Sequence, residues 1–276
     1  MAYHPLDQPA FAALTTRHRQ FAEMAGQAMR YQPDIIPFCV PDAEDAGALA
    51  RLVVPGQTTV ILQAERVETP QGFSDVLRDS VVQMVATGVL PAQSEDDRII
   101  RLAPDDAPEM LELALATKPG PFTLRALALG PFWGIRQNGR LVAMAGVRMA
   151  APGFTEVSGV CSAPEARGQG LARMLSLKVM HLIAEAGDLP FLHAWTTNTA
   201  AIKLYESIGF THRADMQGCN AQAYRRLRPE ARGVPATWRN SFAPRATFQR
   251  FLNLGGRRRG PSLNKGGGGG WSDPKF

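Results

Sequence analysis

The stretch PEARGQGLARML (residues 164–175) sets Gly168 and Gly170 one residue apart, between an arginine and an apolar periodic run. Glycine is the poorest helix former after proline, so two of them at a helix start imply a backbone that a side chain would obstruct. Amides of residues 168–172 then point outward, an arrangement suited to gripping an anion such as a phosphate. Gly168, Gly170 and the small Ala172 let a pyrophosphate approach the main chain; the alternative is a tight strand-to-helix turn. The spacing is neither G-x-G-x-x-G nor G-x-x-x-x-G-K-[ST], so the dinucleotide and P-loop fingerprints are absent.

Other residues able to do chemistry are scattered. Cys39, Cys161 and Cys219 are odd in number, far apart and in no CxxC pair. That pattern argues against a disulfide framework or a zinc site, so no metal is expected and a reducing cytosol fits. Cys161 lacks a matching His–Asp order for a nucleophile and reads as structural. His193 reads as a packed strand residue rather than a base. Gly159, inside a strand, either marks a bulge or relieves crowding.

These residues need elements to hold them. GFTEVSGVCS reads as a strand running into the glycine turn, and Leu171, Met174, Leu175, Val179, Leu182, Ile183 and Ala186 make the apolar stripe of the helix that follows, with Gly187 as its stop. PFLHAWTTN is the next strand, TAAIKLYESIGF a second helix stopped at Gly209, and AQAYRRLR a closing strand. Upstream, DRIIRLAP is a strand, DDAPEMLELALAT a helix with Pro and acidic residues in its first turn, and KPGPFTLRALALGPF a loop with a short helix. FWGIRQ and LVAMAGVRMA flank an Asn-Gly hairpin turn. Residues 1–95 alternate helix-like pieces (PAFAALTTRHRQFAEMAG, DAEDAGALARLV) with strand-like ones (TTVILQAE, SVVQMVA), and polar LPAQSEDD suggests a boundary near residue 95. The order is an α+β plan rather than a doubly wound nucleotide fold.

RGQGLA matches the [QR]-x-x-G-x-[GA] pyrophosphate motif of the GNAT superfamily of N-acetyltransferases, and NTAAIKLYESIGF resembles its N-x-x-A-x-x-x-Y-x-x-x-G-F signature. The two motifs stand in the family's order, with a helix and a strand between them, and the resemblance covers roughly residues 97–228. It implies a mixed, mostly antiparallel central sheet flanked by helices over 96–228, with an additional N-terminal α/β half over 1–95 that is a degenerate GNAT-like half lacking a phosphate loop. TKPGPF and that extra half are similar to the glycine N-acyltransferase-like subgroup. The resemblance further implies acetyl-CoA as donor, a primary amine of a small molecule, amino acid or protein as acceptor, and direct transfer. Arg167, Gly168, Gln169, Gly170, Leu171 and Ala172 would hold the pyrophosphate, and Val160, Cys161 and Ser162 the pantetheine. A backbone N–H near Val160 or Cys161 would polarise the thioester. Tyr205 matches the general acid that protonates the departing thiolate. Asn198 matches an asparagine near the cofactor and also suits a helix N-cap. Glu156 is the candidate base, its pKa expected to be raised in an apolar cleft.

Composition narrows the remaining classes. The 276 residues carry a net charge of +5, yet residues 229–276 alone hold nine Lys/Arg and two Asp/Glu, which leaves −2 for the rest. The basic character therefore belongs to a Gly-rich tail, expected to be disordered, and specific nucleic-acid binding is not indicated. GGGGGWSDPKF at its end resembles a glycine linker with a shortened streptavidin-binding tag, WSHPQFEK. No stretch approaches a membrane span, and no basic n-region precedes an apolar run near the N-terminus, so a cytoplasmic protein is expected. A non-catalytic acyl-CoA sensor is the alternative to an enzyme. Acceptor identity, acyl length and oligomeric state are not legible in the sequence.

Overall fold

Asn138 and Gly139, at φ 51° and 79°, make the two-residue turn between β7 (Phe132–Gln137) and β8 (Arg140–Ala151). Two positive φ values in a row are what a type I′ hairpin requires, and Asn-Gly tolerates them best. In this computed structural model residues 4–93 and 96–224 are described, and they fall in one compact unit. The tail over 229–276 and the last residues of the expected closing strand lie outside the described residues.

The remaining strands are β1 (Ala22–Ala25), β2 (Ala28–Tyr31), β3 (Phe38–Val40), β4 (Thr58–Gln63), β5 (Phe73–Val85), β6 (Ile99–Leu102), β9 (Phe154–Ser162), β10 (Leu189–Trp195) and β11 (Thr211–Ala223). Together they form one mixed sheet in the order β1-β2-β3-β4-β11-β5-β10-β9-β8-β7-β6. β3–β4 and β9–β10 pair in parallel, and the other neighbours antiparallel. The boundary expected near residue 95 does not divide this sheet. β5, from the N-terminal half, lies between β10 and β11 and pairs with both.

Helices α3 (Ala107–Thr117), α4 (Leu171–Glu185) and α5 (Thr199–Ser207) form where the apolar periodicity places them. Met110, Leu113, Leu171, Leu175, Val179 and Tyr205 share one apolar cluster with the inner residues of β7 and β8. Gly187 and Gly209 end α4 and α5 at φ 85° and 101°, a left-handed stop that costs other residues roughly 1–2 kcal/mol.

The N-terminal helices are shorter than their spacing suggests. α1 covers only Pro9–Leu14. The hydroxyls of Thr15 and Thr16 bond back to the carbonyls of Phe11 and Ala12, and Ala22–Ala25 is drawn into a hairpin with β2. α2 covers only Leu49–Leu52. Upstream of it, Asp42 accepts from the amides of Glu44 and Asp45, and Asp45 from that of Gly47, so turns replace the expected first helical turn. Leu6, from the 3-10 turn Pro5–Asp7, joins Ala10, Ala13 and Leu14 of α1 in a second cluster with Met149, Phe191, Val85 and Met216.

Candidate active site

β9 and β10 pair in parallel at Leu189↔Phe154, Pro190↔Thr155 and Phe191↔Glu156, and there the pairing stops. β9 continues to Ser162, while β10 continues to Trp195 bound to β5 on its other side. Among the described residues, Val157–Ser162 therefore have no strand partner on the edge that faces β10, leaving a slot between the two strands. Opposite β8, the register shifts between Met144↔Cys161 and Gly146↔Ser158, so one residue of β8 faces two of β9. Gly159, at φ 65°, sits in that bulge, and a Cβ there would fall 2.7 Å from the Phe132 ring. Both readings of Gly159 hold: it makes the bulge and it yields to a neighbour.

The slot leads to the glycine loop. After a 3-10 turn at Pro164–Ala166, Gly168 and Gly170 adopt φ 77° and 74°, and Gly170 caps the N-terminus of α4 without a side-chain hydrogen bond. A Cβ at either glycine would meet nothing within 4 Å. Left-handed backbone, not packing, demands glycine here, and the space above the loop is open to a ligand. That favours the anion-binding reading over a tightly packed turn. Beside it a cavity of about 230 Å³ is lined by Gln169, Gly170, Arg173, Met174 and Leu177. Gln169 accepts a hydrogen bond from Gln137 at 2.7 Å, Arg167 is exposed, and Leu171 is buried beneath the loop beside the half-buried Ala172.

Tyr205 lies on α5 with its ring edge-on to Phe210. Burial, with a smaller contribution from Cys161, pushes its pKa up to about 12, so it keeps its proton throughout the neutral range. Its hydroxyl has no hydrogen-bond partner among the described residues. Cys161 is buried, and burial raises its thiol to about 11, as befits a structural residue. Asn198 is the N-cap of α5, accepting from the amide of Ala201 at 3.2 Å. Its side chain serves the helix, the second of the two roles expected for it.

Glu156 departs from expectation. It is fully buried, and burial alone would raise its pKa, but the charge and hydrogen bonds of Arg148, with His193, hold it at about 2. Arg148 donates from Nε to Oε2 at 2.9 Å and from Nη2 to Oε1 at 2.6 Å; Met149 N and His193 Nδ1 lie 3.3 and 2.7 Å from the carboxylate. Those contacts fill the roughly four lone-pair positions of a carboxylate, leaving none to take a proton from an amine. The register shift in β8 between Val147 and Ala150 is what turns Arg148 and Met149 onto it. His193, expected only to pack, is bonded at both ring nitrogens. Arg148 and Gln83 were not singled out by sequence; each is a lone polar residue in an apolar strand run, a signal that names a candidate but not its partner.

Among the described residues, no helix is long and apolar enough to cross a membrane and no group of three or more His, Cys, Asp or Glu could hold a metal ion. A family model described as FR47-like protein matches residues 132–218. Among solved structures, the chain is similar to a protein from Novosphingobium aromaticivorans described as an acetyltransferase of the GNAT family. The two are 38% identical over 81% of this chain and 100% of that one, with a TM-score of 0.77. A GCN5-related N-acetyltransferase from Kribbella flavida shares the fold at a TM-score of 0.51 and 19% identity, over 76% of this chain and 95% of that one. Among curated proteins, mycothiol acetyltransferase of Thermobispora bispora is 49% identical over 49 residues, only 17% of either chain.

Proposed function

We propose a specific course of reaction for this chain, which belongs to the GNAT superfamily and is an N-acetyltransferase: acetyl-CoA donates an acetyl group directly to a primary amine held in the slot between β9 and β10. The observation that carries the proposal is the pair of left-handed glycines, open above and capping α4, at the end of a strand edge with no partner. Amides of residues 168–172 would take the pyrophosphate, and the free edge at Val160, Cys161 and Ser162 would pair with the pantetheine.

The thioester supplies an activated acyl carbon. The chain's part is to orient it, to polarise its carbonyl with a backbone N–H near Val160 or Cys161, and to accept the charge that leaves. The amine nitrogen forms the C–N bond as the C–S bond breaks, and Tyr205 gives its proton to the sulfur. With Glu156 saturated, the amine's proton passes to water in the slot, and water returns a proton to the Tyr205 oxygen to complete the cycle. Glu156 acts instead as an ionic anchor where the two strands part. The test is release of free thiol from acetyl-CoA over a screen of amines and amino acids. Turnover with at least one amine supports the reading; acetyl-CoA binding without thiol release across the screen overturns it.

A further inference from the structure

Four side chains, one from each of four neighbouring strands, join in a line across the sheet. Gln83 stands on β5, His193 on β10, Glu156 on β9 and Arg148 on β8. Gln83 and His193 are direct cross-strand partners. The line crosses the sheet beside Phe191↔Glu156, the last pair before β9 and β10 part.

The proton positions along this line follow from groups whose roles are fixed. Arg213 can only donate, and its Nη1 lies 2.6 Å from one end of the Gln83 amide, so that end is oxygen. The carbonyl of Leu6 can only accept, and it lies 2.9 Å from the other end, which is therefore the NH₂. That same NH₂ lies 2.9 Å from His193 Nε2, so Nε2 must present its lone pair. The ring proton then sits on Nδ1 and is donated to Glu156 Oε1 at 2.7 Å. Gln83 is wholly buried, so water does not compete for these bonds.

We propose that Gln83, supplied by the N-terminal half, is a positioning residue for acetyl transfer: it locks His193 as the Nδ1–H tautomer and so fixes the point at which the slot opens. The Gly159–Val160 backbone is three to four residues beyond Glu156, roughly 10–13 Å along the strand. A shift of the strands at the parting point carries through to the amides that face the thioester, where small displacements are costly in rate. The inference rests on the thioester lying in the slot.

Two measurements on the full chain test it. Nitrogen-15 NMR of histidine-labelled protein, with the His193 signal assigned by its loss in His193→Gln, should show a proton on Nδ1 and none on Nε2. A proton on Nε2 would overturn the proposal. Steady-state kinetics on Gln83→Met should then show kcat lowered by about tenfold or more, with acetyl-CoA affinity held within about twofold. His193→Leu should lose as much, and His193→Gln should recover a large part, because an amide again offers one donor and one acceptor. Unchanged kcat in a folded Gln83→Met protein, or equal loss in His193→Leu and His193→Gln, counts against a positioning role. Wild-type protein that fails to bind acetyl-CoA would sink the reading of the slot itself, a result distinct from either.

Discussion

Arg148 grips Glu156 through two of its three nitrogens, at 2.6 and 2.9 Å, in a pair whose side chains are 11% and 0% exposed. The Arg148 guanidinium also stacks on the Phe38 ring, 4.8 Å from its centroid. Breaking a buried pair strands a charge and costs about 3–5 kcal/mol, whereas replacing both partners with apolar groups is often neutral. Arg148→Met should therefore destabilise the protein by about that amount in urea unfolding, and Arg148→Met with Glu156→Leu should recover most of the loss. A single Arg148→Met variant as stable as wild type would mean that the pair is not a structural anchor.

Acid should unfold the protein in two stages. His18 is buried and bonded to the Tyr31 hydroxyl, and burial, then the charge of Arg17, lowers its pKa from 6.5 to about 4. Between those values the unfolded chain takes up a proton that the native state refuses, so stability is lost as pH falls from 6.5 toward 4. Glu156, held at about 2 against an ordinary 4.5, adds a second loss below pH 4.5. Melting temperatures measured from pH 7 to pH 3 should decline in both windows. His18→Gln should flatten the upper window and leave the lower one.

The parts legible in the sequence are those set by near neighbours. The stripe of α4, the glycine stops at Gly187 and Gly209 and the Asn138–Gly139 turn all depend on residues within a few positions of each other. Arg148 and Glu156, eight apart, join through a register shift that local pattern does not encode. Gln83 and His193 are 110 positions apart, and only the pairing of β5 with β10 brings them together. Without those partners, Glu156 reads as a carboxylate in an apolar cleft with a raised pKa; with them, the sign reverses. The early end of α1 follows from Thr15 and Thr16 hydroxyls competing for helix carbonyls, a contest that hydrophobic spacing does not register.

Gly170 separates backbone strain from ligand access. Gly170→Ala and Gly170→Glu both force a left-handed residue, at roughly 1–2 kcal/mol, and should melt at similarly lowered temperatures. A Cβ at this position meets nothing within 4 Å, so the two variants share the same backbone cost. Glutamate places an anion where the pyrophosphate would sit, and its acetyl-CoA affinity by calorimetry should fall at least about tenfold below that of the alanine variant. Equal affinities would refute a phosphate site at this loop.

Tyr205→Phe keeps the ring against Phe210 and removes only the hydroxyl. If that hydroxyl protonates the departing thiolate, turnover should drop by about 10²–10⁴, with acetyl-CoA affinity and melting temperature nearly unchanged. Because the Tyr205 pKa is raised to about 12, the wild-type rate should show no loss of this acid between pH 6 and 9. Full activity in the phenylalanine variant, with chemistry shown to limit the rate, removes Tyr205 from the mechanism.

The seat of β5 between β10 and β11 governs how the gene can be cut. A fragment starting at residue 96 would leave β10 and β11 with two raw edges facing a missing strand, a template for aggregation. The same gap makes the chain suited to fragment complementation. Residues 1–95, expressed separately, would carry the strand that both edges need, and mixing the halves should restore thiol release. A peptide spanning Phe73–Val85 would be the smallest insert to try, and Gln83 would travel with it.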